Sequence, residues 1–129
     1  LNDTYNANPD SVLSALRTLG GMSTVGRKIV VLGDMLELGT ASRSEHERIG
    51  KAVSELGADY LMTHGRMARH IHTGASMQAK HHFDRKDVLS RKLLGIVSPA
   101  DIVLIKGSRG MKMEEVVTSL LNRPRRKPA

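Results

Sequence analysis

The 129-residue sequence has no cysteine and no tryptophan, and only two tyrosines and one phenylalanine. Without cysteine there can be no disulfide, no Cys-ligated zinc and no thiol nucleophile, and a reducing compartment is permitted. So few aromatic rings give poor support to a base-stacking platform for single-stranded nucleic acid. Long apolar runs are also missing. The longest, Ile29–Leu32 and Ile102–Ile105, fall far short of the ~20 residues that a membrane helix needs. No basic segment followed by an apolar stretch opens the chain, so neither a secretory signal nor a membrane anchor is expected, and a cytoplasmic location is.

What remains is ordinary globular composition, 40% hydrophobic and 26% charged, at a length that suits one domain of ~100–200 residues. The net charge of +7 invites a nucleic-acid reading, but its location weakens that reading. Arg123, Arg125, Arg126 and Lys127 lie in the proline-broken tail 122–129. The 16 other Lys and Arg face 13 Asp and Glu, a net +3 over residues 1–121. The expected organisation is therefore one domain over 1–121 and a disordered basic tail over 122–129.

Along the chain, short apolar runs alternate with amphipathic stretches. Lys28–Leu32 reads as a buried strand closed by Gly33-Asp34. Ser42–Leu56 reads as a helix with Ile49, Ala52, Val53 and Leu56 on one face, a Ser42/Glu45 capping box and a stop at Gly57. Asp59–Met62 is the next strand, Arg66–Ile71 a short helix and Met77–Phe83 an edge strand. Asp84 is placed to cap a helix bearing Leu89, Leu93 and Ile96. Asp101–Ile105 is the clearest strand, and Met113, Val116, Val117, Leu120 and Leu121 mark a final helix. Near the start, Ser11–Leu19 reads as a helix preceded by Asn8, Pro9 and Asp10. Strict alternation predicts a mostly parallel sheet with helices on both faces, a Rossmann-like three-layer α/β sandwich. Ligands of such folds bind at the carboxyl ends of the strands, here at Gly33–Met35, His64-Gly65 and Lys106–Gly110.

Several motifs fail on inspection. Gly21–Gly26 has the glycine spacing of a phosphate loop, but Arg27 and Lys28 stand where Lys and Ser or Thr are required. It also precedes a strand, so it reads as a connecting loop. His46-Glu47 begins like a zinc-protease helix, yet Gly50 replaces the second histidine. No metal site is expected, and His46, His70, His72, His81 and His82 are assigned to solvated surface. Asn2-Asp3-Thr4 matches a glycosylation acceptor, which has no force without a secretory signal.

Two clusters carry more chemistry. Asp3–Asp10 packs amides, a hydroxyl and carboxylates before a helix, groups that can read a purine edge or build an Asx turn and N-cap. Lys106-Gly107-Ser108-Arg109-Gly110 combines cations, a hydroxyl and permissive glycines. It can clamp a carboxylate or serve as a flexible basic turn. Asp34, just past a buried strand, can accept hydrogen bonds from a ribose diol or cap whatever follows it.

Four blocks then occur in order: Asp3-x-Tyr5-Asn6-Ala7-Asn8-Pro9-x-Ser11, Val31–Gly39, Glu45-His46-x-x-Ile49-Gly50, and Lys106–Met111 with Met113-Glu114. Together, over about residues 1–121, they resemble the C-terminal domain of the Mur ligases. The resemblance implies an ATP-dependent amide ligase of bacterial peptidoglycan synthesis, built from three domains. The best-matching pattern is that of the member adding D-alanyl-D-alanine to UDP-N-acetylmuramoyl-tripeptide through an acyl phosphate. It implies that the enzyme's central domain, absent from this chain, holds the ATP phosphates and Mg2+, while the third domain closes over it and the N-terminal one. Carried over by position, Tyr5, Asn6 and Asn8 would lie against the adenine and Asp34 would take the ribose hydroxyls. Lys106, Gly107, Ser108 and Arg109 would hold the dipeptide, with Ser108 and Arg109 on its carboxylate. No residue of this domain is expected to be catalytic, and Glu37 and His46 match family positions with no role expected beyond helix entry and packing. Beginning at Leu1, at a family domain boundary, the chain reads as a piece of a longer enzyme. A stand-alone α/β module that binds a nucleotide, or nucleic acid through its tail, is the alternative, with nucleic acid not the expected partner.

Overall fold

In the computed structural model, which describes residues 7–107 and 111–121, the alternating pattern becomes a parallel sheet covered on both faces. Strands β1 (Lys28–Leu32), β2 (Tyr60–His64), β3 (Lys80–Phe83) and β4 (Ile102–Lys106) are ordered β3-β2-β1-β4. Every neighbouring pair is parallel, and Leu32 stands between Thr63 of β2 and Lys106 of β4. Helices α1 (Pro9–Gly21), α2 (Ser42–Leu56), α3 (Arg69–Gly74), α4 (Lys86–Ile96) and α5 (Glu114–Leu121) supply the outer layers.

Burial on both faces explains why β1 is apolar from Ile29 to Leu32. Alternation along the strand divides these side chains between two cores. Val30 and Leu32 join Leu61 and Leu104 beneath Leu16 of α1, Ile49 and Val53 of α2 and Ile71 of α3. Ile29 and Val31 join Met62 and Ile105 beneath Leu89 and Leu93 of α4 and Val116 of α5. The expected three-layer α/β sandwich is the observed one.

Local chemistry moves several boundaries. Helix α1 starts at Pro9, two residues before the expected Ser11, with Asn8 as its cap: the Asn8 Oδ1 accepts from the Ser11 amide at 2.9 Å, and the Ser11 hydroxyl accepts from the Asn8 amide at 3.1 Å. The Ser42/Glu45 capping box does not form. Ser42 already has helical dihedrals because α2 continues from a 3-10 turn at Gly39–Ala41, whereas an N-cap needs extended backbone. Glu45 pairs with Arg48 instead. Gly57 ends α2 with φ +79°, as expected of a C-terminal glycine. Helix α3 starts at Arg69, not Arg66, since residues 65–68 form a turn. Strand β3 is confined to Lys80–Phe83. Asp84 does not cap α4, whose N-cap is Arg85 with no side-chain cap, and it pairs with Arg69 at 3.1 Å.

The glycine-spaced loop 21–27 lies at the amino ends of β1 and β4, the rim opposite the strands' carboxyl ends. Thr24 donates its hydroxyl to the Ala100 carbonyl. The Arg27 amide donates to Asp101 Oδ1 at 2.8 Å and its guanidinium to Oδ2 at 3.0 Å. Burial pushes the Asp101 carboxyl up, but the Arg27 and Ser98 amides and the Arg27 guanidinium outweigh it and hold it below the usual carboxylate range. This loop ties strands together and reads as the connecting segment that its sequence suggested.

Candidate functional site

Strand order sets the site. From β1 the chain steps outward through β2 to β3, then returns to the other side of β1 as β4. The crevice between the carboxyl ends of β1 and β4 is therefore the point where the order reverses, the position that binds ligands in open parallel sheets. The Gly33-Asp34-Met35 and Lys106-Gly107 segments meet there, the Gly33 amide donating to the Lys106 carbonyl at 2.8 Å.

The approach is close because both positions are glycine. A Cβ on Gly107 would lie 2.4 Å from the Met113 Cγ and 3.4 Å from the Gly33 Cα. Met113 is fully buried and carries the second core up to this rim.

Asp34 is more enclosed than an open ribose acceptor would be, at 5% exposure. Its Oδ1 accepts from the Met67 amide at 3.0 Å and the Ala68 amide at 2.6 Å, so it caps the turn leading into α3. Capping was the second possibility for Asp34, although the segment capped lies 33 residues on rather than next in the chain. Gly65, at φ +124°, lies against this carboxylate, and a Cβ there would come 2.3 Å from Asp34 Oδ1. The β1 exit loop thus holds the β2 exit loop in place.

Lys106 ends β4 at 1% exposure, on the same strand face as Leu104, so the first cation of the basic segment is buried rather than presented to solvent. The segment after 108–110 is held from α4: Lys86 Nζ donates to the Met111 carbonyl at 3.1 Å and the Lys112 carbonyl at 3.3 Å. Lys86 also pairs with Glu115 at 3.1 Å. Asn8 is exposed, its Oδ1 committed to the α1 cap. Tyr5, Asn6, Ser108 and Arg109 lie outside the described residues.

His46 corrects an expectation. It is fully buried, not on solvated surface. The Met35 amide donates to its Nε2 at 3.0 Å, and its Nδ1 lies 2.6 Å from the Ser42 carbonyl. An amide can only donate, so Nε2 is bare and Nδ1 carries the hydrogen that goes to Ser42. Burial pushes the imidazole pKa below its ordinary value, although the Ser42 carbonyl and Asp34 work the other way. His72 and His82 are half-buried as well, His82 Nδ1 lying 2.8 Å from the Thr63 hydroxyl, while His81 is exposed. Phase along α2 was the available signal for His46. It falls on the stripe shared with Ile49, Gly50 and Val53, all buried. Nothing in the sequence marked Lys86 or the Met67 and Ala68 amides, since these contacts join distant segments.

Glu37, exposed at the same rim, adopts φ +63°. Among the described residues no group of three or more His, Asp or Glu is arranged to hold a metal ion. No helix among them is long and apolar enough to cross a membrane.

Against known proteins, residues 1–109 match the family described as Mur ligase, glutamate ligase domain. The chain is 36% identical over 129 residues to the UDP-N-acetylmuramoyl-tripeptide–D-alanyl-D-alanine ligase of Bacillus subtilis, covering 96% of this chain. It is 38% identical over 121 residues to the ligase of the same name from Escherichia coli, covering 93%. It spans 28% and 26% of the lengths of those two relatives. Among solved structures, the MurF ligase of Thermotoga maritima in complex with ADP superposes with a TM-score of 0.79 at 27% identity. That alignment covers 93% of this chain and 27% of that one.

Proposed function

This chain belongs to the Mur ligase family, as its glutamate ligase (C-terminal) domain, and from that premise we propose that it closes the active site of an ATP-dependent ligase. The reaction joins D-alanyl-D-alanine to UDP-N-acetylmuramoyl-tripeptide, the substrates named for the relatives that align over most of the chain. The observation that carries this reading is the meeting of two motif blocks at the switch point, where Gly33 bonds Lys106. The ADP in the Thermotoga maritima ligase supports a nucleotide as one of the ligands.

Chemistry dictates what such a domain must do. The γ-phosphoryl group of ATP passes to the tripeptide carboxylate and ADP leaves. The dipeptide amine then attacks the acyl carbon, the C–N bond forms, phosphate departs and the amine loses a proton. An acyl phosphate exposed to water hydrolyses, so the site must close before the amine arrives. A mobile domain that caps the nucleotide while carrying the dipeptide meets that need and raises the amine's effective concentration. In this assignment Tyr5, Asn6 and Asn8 face the adenine, and Asp34 faces the ribose. Gly107, Ser108 and Arg109 face the dipeptide, and Arg109 grips its carboxylate through paired hydrogen bonds. The ATP phosphates and Mg2+ fall to the rest of the ligase.

The test is Arg109→Ala in the full-length enzyme. Loss of a charged hydrogen-bonding pair should raise the dipeptide KM by about tenfold or more while the ATP KM stays near its starting value. Unchanged dipeptide kinetics would overturn the assignment of this segment. The 129-residue chain alone should show no ATP-dependent ligation, and turnover by it would refute a purely closing role.

A further inference from the structure

We propose that His46 is a positioning residue for the nucleotide, acting through the Met35 amide on the loop that carries Asp34. The inference rests on the reading of Asp34 as a ribose-facing residue given above.

The geometry is specific. His46 sits on the first turns of α2 with its ring completely enclosed, and Met35 above it is only 1% exposed. Water therefore cannot replace the imidazole as acceptor for the Met35 N–H. The bond at 3.0 Å to Nε2 demands a bare nitrogen, and the 2.6 Å contact from Nδ1 to the Ser42 carbonyl demands a hydrogen on the other. One tautomer satisfies both. The Ser42 hydroxyl, 3.4 Å from Nδ1, adds a weaker contact. The ring thus bridges the start of α2 to the loop leaving β1.

Met35 is bonded in sequence to Asp34, whose Oδ1 is itself held by the Met67 and Ala68 amides. Asp34 is consequently fixed from two sides: its carboxylate by the β2 exit loop, its backbone by His46 through the next residue. A loop placed in this way binds without first being ordered, which lowers the entropic cost of taking up a ligand. Burial requires both ring nitrogens to be matched, so the roles are separated by which nitrogen is removed.

Two substitutions separate these roles in the full-length ligase. In His46→Gln, the carboxamide oxygen reaches the place of Nε2 and retains an acceptor for Met35. In His46→Asn, the shorter carboxamide reaches only the place of Nδ1, which keeps the donor to Ser42 and leaves the Met35 amide unpaired. The expectation is that His46→Asn raises the ATP KM by about tenfold and accelerates hydrogen exchange of the Met35 amide by a similar factor, while His46→Gln stays within about twofold on both readouts. Equal behaviour of the two variants, or a wild-type ATP KM in His46→Asn, overturns the proposal. Asp34→Asn measured alongside keeps the two readings apart. If it leaves the ATP KM unchanged, the ribose assignment fails, whereas Met35 exchange still decides whether His46 holds the loop. Should His46→Asn fail to fold, imidazole nitrogen chemical shifts of the unmodified protein decide. A protonated Nε2 at neutral pH overturns the proposal, and a protonated Nδ1 with bare Nε2 supports it.

Discussion

Three histidines of this domain sit where an imidazolium is disfavoured, and this gives the fold a pH dependence. Burial is the main cause for His46, His72 and His82, joined by the Lys80 charge near His72 and the Arg69 charge near His82. Each native pKa lies below the ordinary value of 6.5. On acidification the unfolded chain takes up protons before the native one, so stability is complete above that value and declines as pH falls from it through the lowered native values. The urea midpoint should therefore drop between neutral and mildly acidic pH. Removing one titrating site with His46→Gln should make that drop smaller, and an undiminished drop would mean that His46 contributes nothing to it. The residue scale also shows why sequence reasoning misplaced these side chains. A histidine is amphipathic, and only its surroundings reveal whether its nitrogens find partners.

At the scale of elements, α2 and α3 approach backbone to backbone, and the contact depends on a glycine from each helix. A Cβ on Gly50 would lie 2.1 Å from the Ile71 carbonyl oxygen, and one on Gly74 would lie 2.5 Å from that of Glu47. Neither neighbour is a side chain that can rotate away. Gly50→Ala should therefore destabilise the domain by about 2 kcal/mol, the overpacking term outweighing the gain in helix propensity of up to about 1 kcal/mol. Gly95 in α4 is the control, since a Cβ there meets nothing within 4 Å. Gly95→Ala should stabilise by roughly 0.5–1 kcal/mol, for the helix then loses less backbone entropy on folding. Chemical denaturation of the two variants checks both signs, and a neutral Gly50→Ala would show that α2 and α3 can separate without loss. Element identities were legible because apolar spacing is local. The ends were less so: the β2–α3 boundary depends on a carboxylate from another loop, and the start of α2 on a 3-10 turn that makes Ser42 helical.

At the scale of the molecule, charge and function separate. Four of the basic residues behind the +7 charge lie in 122–129, while the motif blocks lie in 1–121. Deleting 122–129 from the ligase should leave the ATP and dipeptide KM values within about twofold, since none of the motif blocks lies in that segment. A steep, salt-sensitive loss of nucleic-acid affinity on that deletion would favour the binding-module reading instead. The chain spans 28% and 26% of the lengths of two related ligases, and the role proposed for it is geometric.

The sequence by itself determined the alternation of strands and helices, the parallel sheet that follows from it, and the order of the motif blocks. These depend on local periodicity and on spacing along the chain. Tertiary structure decided what those blocks touch. It brought Gly33 against Lys106 at the switch point, gave both lone amides of the 67–68 turn to one oxygen of Asp34, buried Lys106, and enclosed His46 beneath Met35. Each of these contacts joins segments separated in sequence, and no pattern within either segment specifies the distance or the donor that the other will present.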